Sequence, residues 1–177
     1  MKSIIVYQGK YGATRQYAEW IGGEFGCPVI DSKTCTEPDL ADADVVLLGS
    51  SVYIGKLQIS TWLKRNERLL RNKKLFLFVI SGTPLNEREK LGKYVKASVD
   101  PRIMDQCHIY FLPGRLIYQH LSVMDKFLLR MGAWLSGDPK TKKAMLTDYD
   151  SVRKENLTEL LNDLRLVMSP AIHESAT

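Results

Sequence analysis

Five short runs of apolar and β-branched residues alternate along the chain with longer segments of helical periodicity. These predicted strands cover residues 3–7, 28–31, 44–49, 74–80 and 107–112. The third and fourth, DVVLLG and KLFLFVI, are apolar at nearly every position, which is typical of strands buried on both faces of a parallel sheet. Strands that alternate with helices form such a sheet, with helices packed on both sides. The sequence therefore predicts an α/β fold with a doubly wound parallel sheet.

The segments between these strands predict the helices. Helical patterns occupy residues 14–25, 56–70, 85–97 and 151–168. A further helical pattern at residues 124–135 lies between the last strand and the closing helix, where a minimal sandwich needs only a short turn. An ordered connection of this length usually has a function. We expect one domain at residues 1–168, with an insertion at about 113–150 and a flexible tail at 169–177.

Composition indicates a soluble protein of the cytoplasm. Hydrophobic residues make up 45% of the 177 residues and charged residues 25%, and no apolar run approaches the length of a membrane-spanning helix, roughly 20 residues. The N-terminal apolar stretch has no signal-peptide cleavage site. Cys27, Cys35 and Cys107 are an odd number without CxxC spacing, which argues against disulfides and a zinc site. We expect a cytoplasmic location and no bound metal.

Much of the net charge of +5 arises between Arg115 and Lys143. In this segment basic residues surround the apolar side chains of Phe127 and Trp134, as in helices that lie at a membrane interface; they are Lys126, Arg130, Lys140, Lys142 and Lys143. A surface of this kind binds anionic lipid, an acidic substrate or an acidic protein. The alternative is a solvated surface whose apolar residues form a small separate core under the insertion. We expect no nucleic-acid partner. Peripheral contact with the inner face of the membrane stays open.

Three turns follow predicted strands, at the edge of the sheet where α/β proteins bind ligands. They read QGKYGATR, SSVYIG and SGTPLNE. The first contains neither a GxGxxG fingerprint nor a Walker lysine turn. Its backbone N–H groups and the Thr14 hydroxyl are suited to bind a phosphate at the start of a helix. Taken alone, the turn is equally well explained as a structural connection in which Thr14 caps the helix.

The first turn resembles the phosphate loop of flavodoxins, whose usual pattern is a hydroxyl residue, x, Thr, Gly, x, Thr. Gly12 and Thr14 match this pattern, whereas Gln8 and Tyr11 stand where a hydroxyl residue and a threonine are common. The resemblance extends over essentially the whole chain. It implies a flavodoxin-like three-layer sandwich, in which a five-stranded parallel sheet has the order 2-1-3-4-5 and a helical insertion follows strand five. It also implies FMN as the cofactor.

A narrower resemblance is to the menaquinone-dependent protoporphyrinogen oxidase family, whose members look like long-chain flavodoxins with an insertion after the fifth strand. The residues that carry it are Thr14, Arg15 and the segments 49–55, 114–116, 124–127, 136–137 and 147–149. This resemblance implies an oxidoreductase that oxidises protoporphyrinogen or a similar reduced substrate. It also implies that the electrons pass to a quinone.

The flavodoxin resemblance implies a cofactor site built from three loops. The phosphate would be held by Gln8, Gly9, Lys10, Tyr11, Gly12, Ala13 and Thr14. One side of the isoalloxazine would contact Ser50, Ser51, Val52, Tyr53, Ile54 and Gly55. The far edge of the ring would meet Ser81, Gly82, Thr83 and Pro84. We expect no catalytic acid or base, because the flavin itself carries the electrons and protons.

Two other functions stay open from the sequence. One is a flavodoxin-type electron carrier that has no substrate of its own and docks on redox proteins. A typical carrier of this kind is acidic, so the charge of +5 weighs against it. The other is a flavin-free binding module on the same scaffold, because a fold does not assign a function.

Overall fold

A computed structural model describes residues 1–135 and 146–168. Its main sheet is formed by β1 (Ser3–Gln8), β2 (Val29–Asp31), β3 (Val45–Tyr53), β4 (Lys56–Leu57), β5 (Lys74–Ser81) and β6 (Cys107–Pro113). The strands β2-β1-β3-β5-β6 are parallel in this order, and the short β4 pairs antiparallel with the end of β3. The predicted order of the five parallel strands is confirmed.

Helices cover both faces of the sheet. The α-helices of the described residues are α1 (Ala13–Phe25), α2 (Glu37–Ala41), α3 (Ser60–Leu70), α4 (Arg88–Lys96), α5 (Pro101–Met104), α6 (Val123–Leu135) and α7 (Thr158–Met168). Short 3-10 helices span Tyr118–His120 and Lys154–Leu157. Helices α1 and α7 pack on one face of the sheet, and α3, α4 and α5 pack on the other.

The side chains of β5 show why the sheet is buried on both faces. Its residues alternate between the two sides, as the pleat of a strand requires. Leu75, Leu77 and Val79 belong to the core under α3 and α4, whereas Phe76 and Phe78 belong to the core under α1 and α7. The nearly continuous apolar sequence of this strand thus reflects two cores that share one sheet.

Several elements differ from the prediction. Strand β3 continues to Tyr53, through residues predicted as a turn, because Val52 and Tyr53 pair with Leu57 and Lys56 of β4. This pairing delays the start of the next helix from the predicted residue 56 to Ser60. The short helices α2 and α5 were not predicted, since each is too short to show a helical period.

The insertion begins and ends at one point of the sheet edge. Strands β7 (Arg115–Leu116) and β8 (Tyr149–Asp150) pair antiparallel, and Arg115 forms an ion pair with Asp150 at 2.9 Å. Next to this pair, the N–H of Ser151 donates to the carbonyl of Gly114 at 3.1 Å. Helix α6 lies between the two strands in sequence and is the predicted helix of the insertion.

Some predicted features lie outside the described residues. They are Ser136, Gly137, Lys140, Lys142 and Lys143 of the insertion, together with the tail at 169–177. Within the described ranges, no helix combines the length and the apolar character needed to cross a membrane.

Candidate functional site

A cavity of about 920 Å³ opens at the carboxyl ends of the parallel strands. Its walls are the three predicted loops, of which the second includes the end of β3 and the third includes the end of β5. Helix α4 and the elements β7, β8 and α6 of the insertion complete the walls. The volume lies within the range of ligand pockets, about 300–1,000 Å³. The predicted site residues that line it are Lys10, Tyr11, Ala13, Thr14, Ser51, Val52, Tyr53, Ile54, Ser81, Gly82, Thr83 and Pro84.

The other predicted site residues lie outside the cavity lining; they are Gln8, Gly9, Gly12, Ser50 and Gly55. The side-chain oxygen of Gln8 accepts a hydrogen bond from the Ser32 hydroxyl at 3.1 Å. Ser50 is fully buried, and its hydroxyl accepts from the N–H of Ile59 at 3.2 Å. In this structure the side chains of Gln8 and Ser50 therefore connect the ends of their strands to neighbouring loops by hydrogen bonds.

The loop between β1 and α1 has the backbone geometry of an anion site. The first backbone hydrogen bond of α1 runs from the N–H of Gln16 to the carbonyl of Gly12 at 2.9 Å, so the preceding N–H groups have no helical partner. A Cβ atom at Gly9 would lie 2.5 Å from the Thr14 hydroxyl oxygen, so only glycine allows this close approach. Free N–H groups at a helix N-terminus favour a bound anion.

Thr14 carries an unsatisfied polar atom in this loop. The residue is 1% exposed, and its hydroxyl oxygen has no hydrogen-bond partner among residues 1–135 and 146–168. The N-cap residue of α1 is Gly12, which has no side chain, so Thr14 does not act as the cap. A buried polar group without a partner costs about 1–3 kcal/mol. The site therefore fits a ligand atom that accepts a hydrogen bond, such as a phosphate oxygen.

Three predicted side chains converge on Asp125, which belongs to α6 and is only 6% exposed. The Lys10 ammonium and the Tyr53 hydroxyl each donate to its carboxylate at 2.6 Å, and the Tyr11 hydroxyl donates as well. The Lys10 nitrogen also lies 4.9 Å from the centre of the Tyr53 ring, within the range of a cation–π contact. Asp125 thus joins the insertion to the first and second loops.

Sequence reasoning missed Asp125. Its neighbours in MDKFLL follow an ordinary helical pattern, and a helical pattern does not tell which polar residue will face inward. One signal was available, because Asp125 is an acidic residue in a segment that is otherwise basic and apolar.

The hydrogen bonds to Asp125 keep its carboxyl ionised. Burial raises the pKa of this group, but the hydrogen bonds from Lys10, Tyr11 and Tyr53 outweigh burial and hold the pKa at about 2. The same hydrogen bonds raise the pKa of Lys10 and of Tyr53. The contact between α6 and the loops is therefore an ion pair at neutral pH.

The acid stability of the protein should depend on Asp125. An unfolded aspartate has a pKa of about 3.9, so a folded pKa of about 2 adds stability that is present above pH 4 and lost as the pH falls towards 2. The test compares the free energy of unfolding at pH 6 and at pH 2.5, measured by urea denaturation. Over this range the value for wild type should fall by on the order of 1–2 kcal/mol more than the value for Asp125→Asn. Asp148→Asn removes an exposed carboxylate of the insertion and is the control. A wild type and Asp125→Asn that lose stability in parallel would contradict this assignment.

The second loop contains a strained turn. Tyr53 pairs with Lys56, so Ile54 and Gly55 form a two-residue hairpin turn with φ of 49° and 72°. Two positive φ values define a type I′ turn, which favours Asn and Gly, and a β-branched residue is costly there. Ile54 is 70% exposed at the cavity wall, so burial does not compensate for this strain. Strain of this kind is often stored at functional sites.

Ile54→Asn should therefore stabilise the protein. We expect its free energy of unfolding to rise by about 1 kcal/mol, because asparagine tolerates the left-handed conformation and little buried surface is lost. Ile54→Val keeps the β-branched side chain and should stay close to wild type. Urea denaturation measures both variants. Equal stability of the Asn and Val variants would show that the turn is not strained.

The third loop is held from two sides. The Ser81 hydroxyl accepts from the N–H of Thr83 at 2.7 Å, and the Thr83 and Tyr94 hydroxyls lie 3.2 Å apart. Tyr149 of β8 approaches so closely that a Cβ atom at Gly82 would lie 2.3 Å from its hydroxyl oxygen. Burial raises the pKa of Tyr149. The insertion therefore contacts the third loop as well as the first two.

The solved structures to which the chain is similar include several flavodoxins. A flavodoxin from the domain Archaea is 22% identical, with 63% of this chain and 85% of that chain covered and a TM-score of 0.41. The two-electron reduced flavodoxin of Megasphaera elsdenii is 23% identical, with 62% and 82% covered and a TM-score of 0.47. A flavoprotein in complex with FMN from Lactobacillus acidophilus is 16% identical, with 63% and 91% covered and a TM-score of 0.46.

No curated protein matches the chain significantly. A family model, the flavodoxin domain called Flavodoxin_5, matches residues 4–143. The match begins in β1 and extends beyond α6, so it includes all three loops and most of the insertion. It supports FMN, the cofactor predicted from the sequence. The chain belongs to the flavodoxin-domain family.

Proposed function

We propose that this protein is an oxidoreductase that binds FMN in the cavity, with the phosphate held by the first loop. The observation that carries the proposal is the Thr14 hydroxyl, which is buried and has no hydrogen-bond partner in the described part of the chain, beside the first N–H groups of α1. Membership of the flavodoxin-domain family supports the same cofactor. FMN would supply transfer of one or two electrons, and the protein would position it and tune its potential.

The walls of the cavity suggest how the rest of the cofactor is held. Tyr53 and Ile54 of the second loop and the backbone of Gly82 and Thr83 in the third loop flank the space next to the first loop. Aromatic and aliphatic side chains stabilise a flat ring by packing on its face, and backbone groups orient its polar edge.

An apolar reduced substrate is the finer part of the proposal. Beyond the three loops the cavity continues along the apolar side chains Leu128, Leu129, Met131 and Leu135 of α6. Arg115 and Lys90 also line it, and each lies beside a carboxylate, Asp150 at 2.9 Å and Glu87 at 3.2 Å. Apolar walls with nearby cations suit a large hydrophobic molecule that carries acidic groups. Together with the narrower sequence resemblance, this favours protoporphyrinogen or a similar compound as the substrate and a quinone as the electron acceptor.

An electron carrier is the second candidate. Met124, Phe127 and Trp134 of α6 are exposed beside the cavity, and surfaces of this kind often bind a protein partner.

Peripheral contact with an anionic membrane is favoured by the cations of the same helix, Lys126 and Arg130.

Titration with FMN tests the cofactor. The flavin-free protein should take up FMN with a change in its visible spectrum and quenched flavin fluorescence, and a protein that takes up none would contradict the proposal. Turnover of protoporphyrinogen with menaquinone then separates the candidates. Rapid electron exchange with a redox protein, without such turnover, would favour the carrier.

A further inference from the structure

The first loop contains two cations, and each already has an anionic partner. Arg15 pairs with Glu19 on the outer surface of α1 at 2.7 Å. Lys10 pairs with Asp125 at 2.6 Å, and both residues line the cavity. Lys10 is therefore the cation of this loop that is placed to meet an anion inside the cavity.

Asp125 fastens α6 to the loops around the cofactor space. Besides Lys10, it accepts hydrogen bonds from the hydroxyls of Tyr11 and Tyr53. The Tyr11 hydroxyl in turn accepts from the N–H of Ser122, just before α6. The carboxylate thus binds the side chains of the same loop whose backbone and Thr14 hydroxyl fit a phosphate.

We propose that Asp125 and the phosphate of the bound flavin compete for Lys10, so that Asp125 limits the preference for the phosphorylated cofactor. The proposal rests on the proposed function, because it needs the phosphate in the first loop. Lysine is a point charge on a flexible four-carbon stem, so Lys10 can turn from one anion to the other.

A consequence for α6 follows from the same competition. When a phosphate draws Lys10 away, Asp125 loses its ion pair and keeps only the tyrosine hydroxyls. Helix α6 is then held less firmly over the cavity. FMN should therefore loosen α6 relative to riboflavin, which has the same ring and no phosphate.

The first test compares FMN with riboflavin on the full-length protein. Asp125→Asn keeps the shape of the side chain and removes its charge, so the ratio of the riboflavin Kd to the FMN Kd should rise about tenfold at low salt and less at high salt. Asp148→Asn removes a charge elsewhere in the insertion and should leave the ratio unchanged. An unchanged ratio in Asp125→Asn, with both flavins bound, would overturn the inference and leave the proposed function intact.

A double variant separates competition from simple repulsion. Lys10→Met should lower the preference for FMN, and adding Asp125→Asn to it should have little further effect, because the contested cation is gone. If Asp125→Asn raises the ratio equally with and without Lys10, repulsion alone explains the effect and competition is wrong.

Hydrogen exchange provides a readout independent of affinity. With saturating ligand, backbone amides of residues 123–135 should exchange faster in the FMN complex than in the riboflavin complex. Equal exchange rates in the two complexes would contradict the loosening of α6. A wild-type protein that binds neither flavin would overturn the inference together with the proposed function.

Discussion

Thr14→Val is expected to weaken FMN binding about 10- to 100-fold without destabilising the flavin-free protein. Valine has nearly the shape of threonine, so packing at this buried position is kept. The hydroxyl that it removes has no partner among the described residues, so the flavin-free protein loses no hydrogen bond. In the complex the same hydroxyl would donate to a charged phosphate, and hydrogen bonds to charged groups contribute about 1.5–3 kcal/mol.

Thr158→Val provides the contrast. The Thr158 hydroxyl donates to the carbonyl of Glu155 at 2.7 Å, at the start of α7 and away from the cavity. This variant should lower the free energy of unfolding by about 1 kcal/mol and leave the FMN Kd unchanged. Fluorescence titration and urea denaturation measure both quantities. A Thr14→Val variant that binds FMN like wild type would remove Thr14 from the phosphate site.

Phe78→Ala is expected to lower the free energy of unfolding by about 3–5 kcal/mol. Phe78 is fully buried in β5, between the neighbouring strands β3 and β6. Its ring lies over Gly49, where a Cβ atom would come within 2.4 Å of it. The space around the ring is therefore shaped by the backbone of β3, which cannot collapse to fill the cavity left by alanine.

Phe127→Ala is the control for Phe78→Ala, because it removes the same side chain from an exposed position on α6. Phe127 is 61% exposed, so its removal should change the free energy of unfolding by less than about 0.5 kcal/mol. Urea denaturation of the flavin-free variants compares the two directly. Similar losses in both would mean that Phe127 is buried in solution and that α6 packs differently.

The sheet could be predicted from the sequence because its signal is local. The alternating side chains of β5 supply both cores, so the strand is apolar throughout its length, and this pattern does not depend on distant residues. The order of the strands came from the resemblance to flavodoxins. The β3–β4 hairpin was missed because Ile54 is a poor residue for its turn, and pairing of Tyr53 with Lys56 overrides that preference.

The candidate site could be predicted only in part. The three loops were found because they follow strands, but the partners of their side chains depend on residues far away in the sequence. Gln8 is expected to donate to a phosphate through its amide nitrogen, and its amide oxygen accepts from the Ser32 hydroxyl, a contact that the sequence did not indicate. Lys10, Tyr11 and Tyr53 meet Asp125 more than 70 positions away, and no local pattern encodes such a contact.

The hydrogen bond between Ser151 and Gly114 holds the two ends of the insertion next to each other, so the insertion can be replaced as a unit. The chain leaves β6 and returns at nearly the same point, so the length between the two residues is not fixed by the sheet. Lengthening a closed loop costs only about 0.6 kcal/mol for each doubling. Segments of different size and chemistry can therefore be exchanged at this junction without shifting the register of any strand. Such exchange offers a route by which one flavin-binding scaffold acquires different substrates.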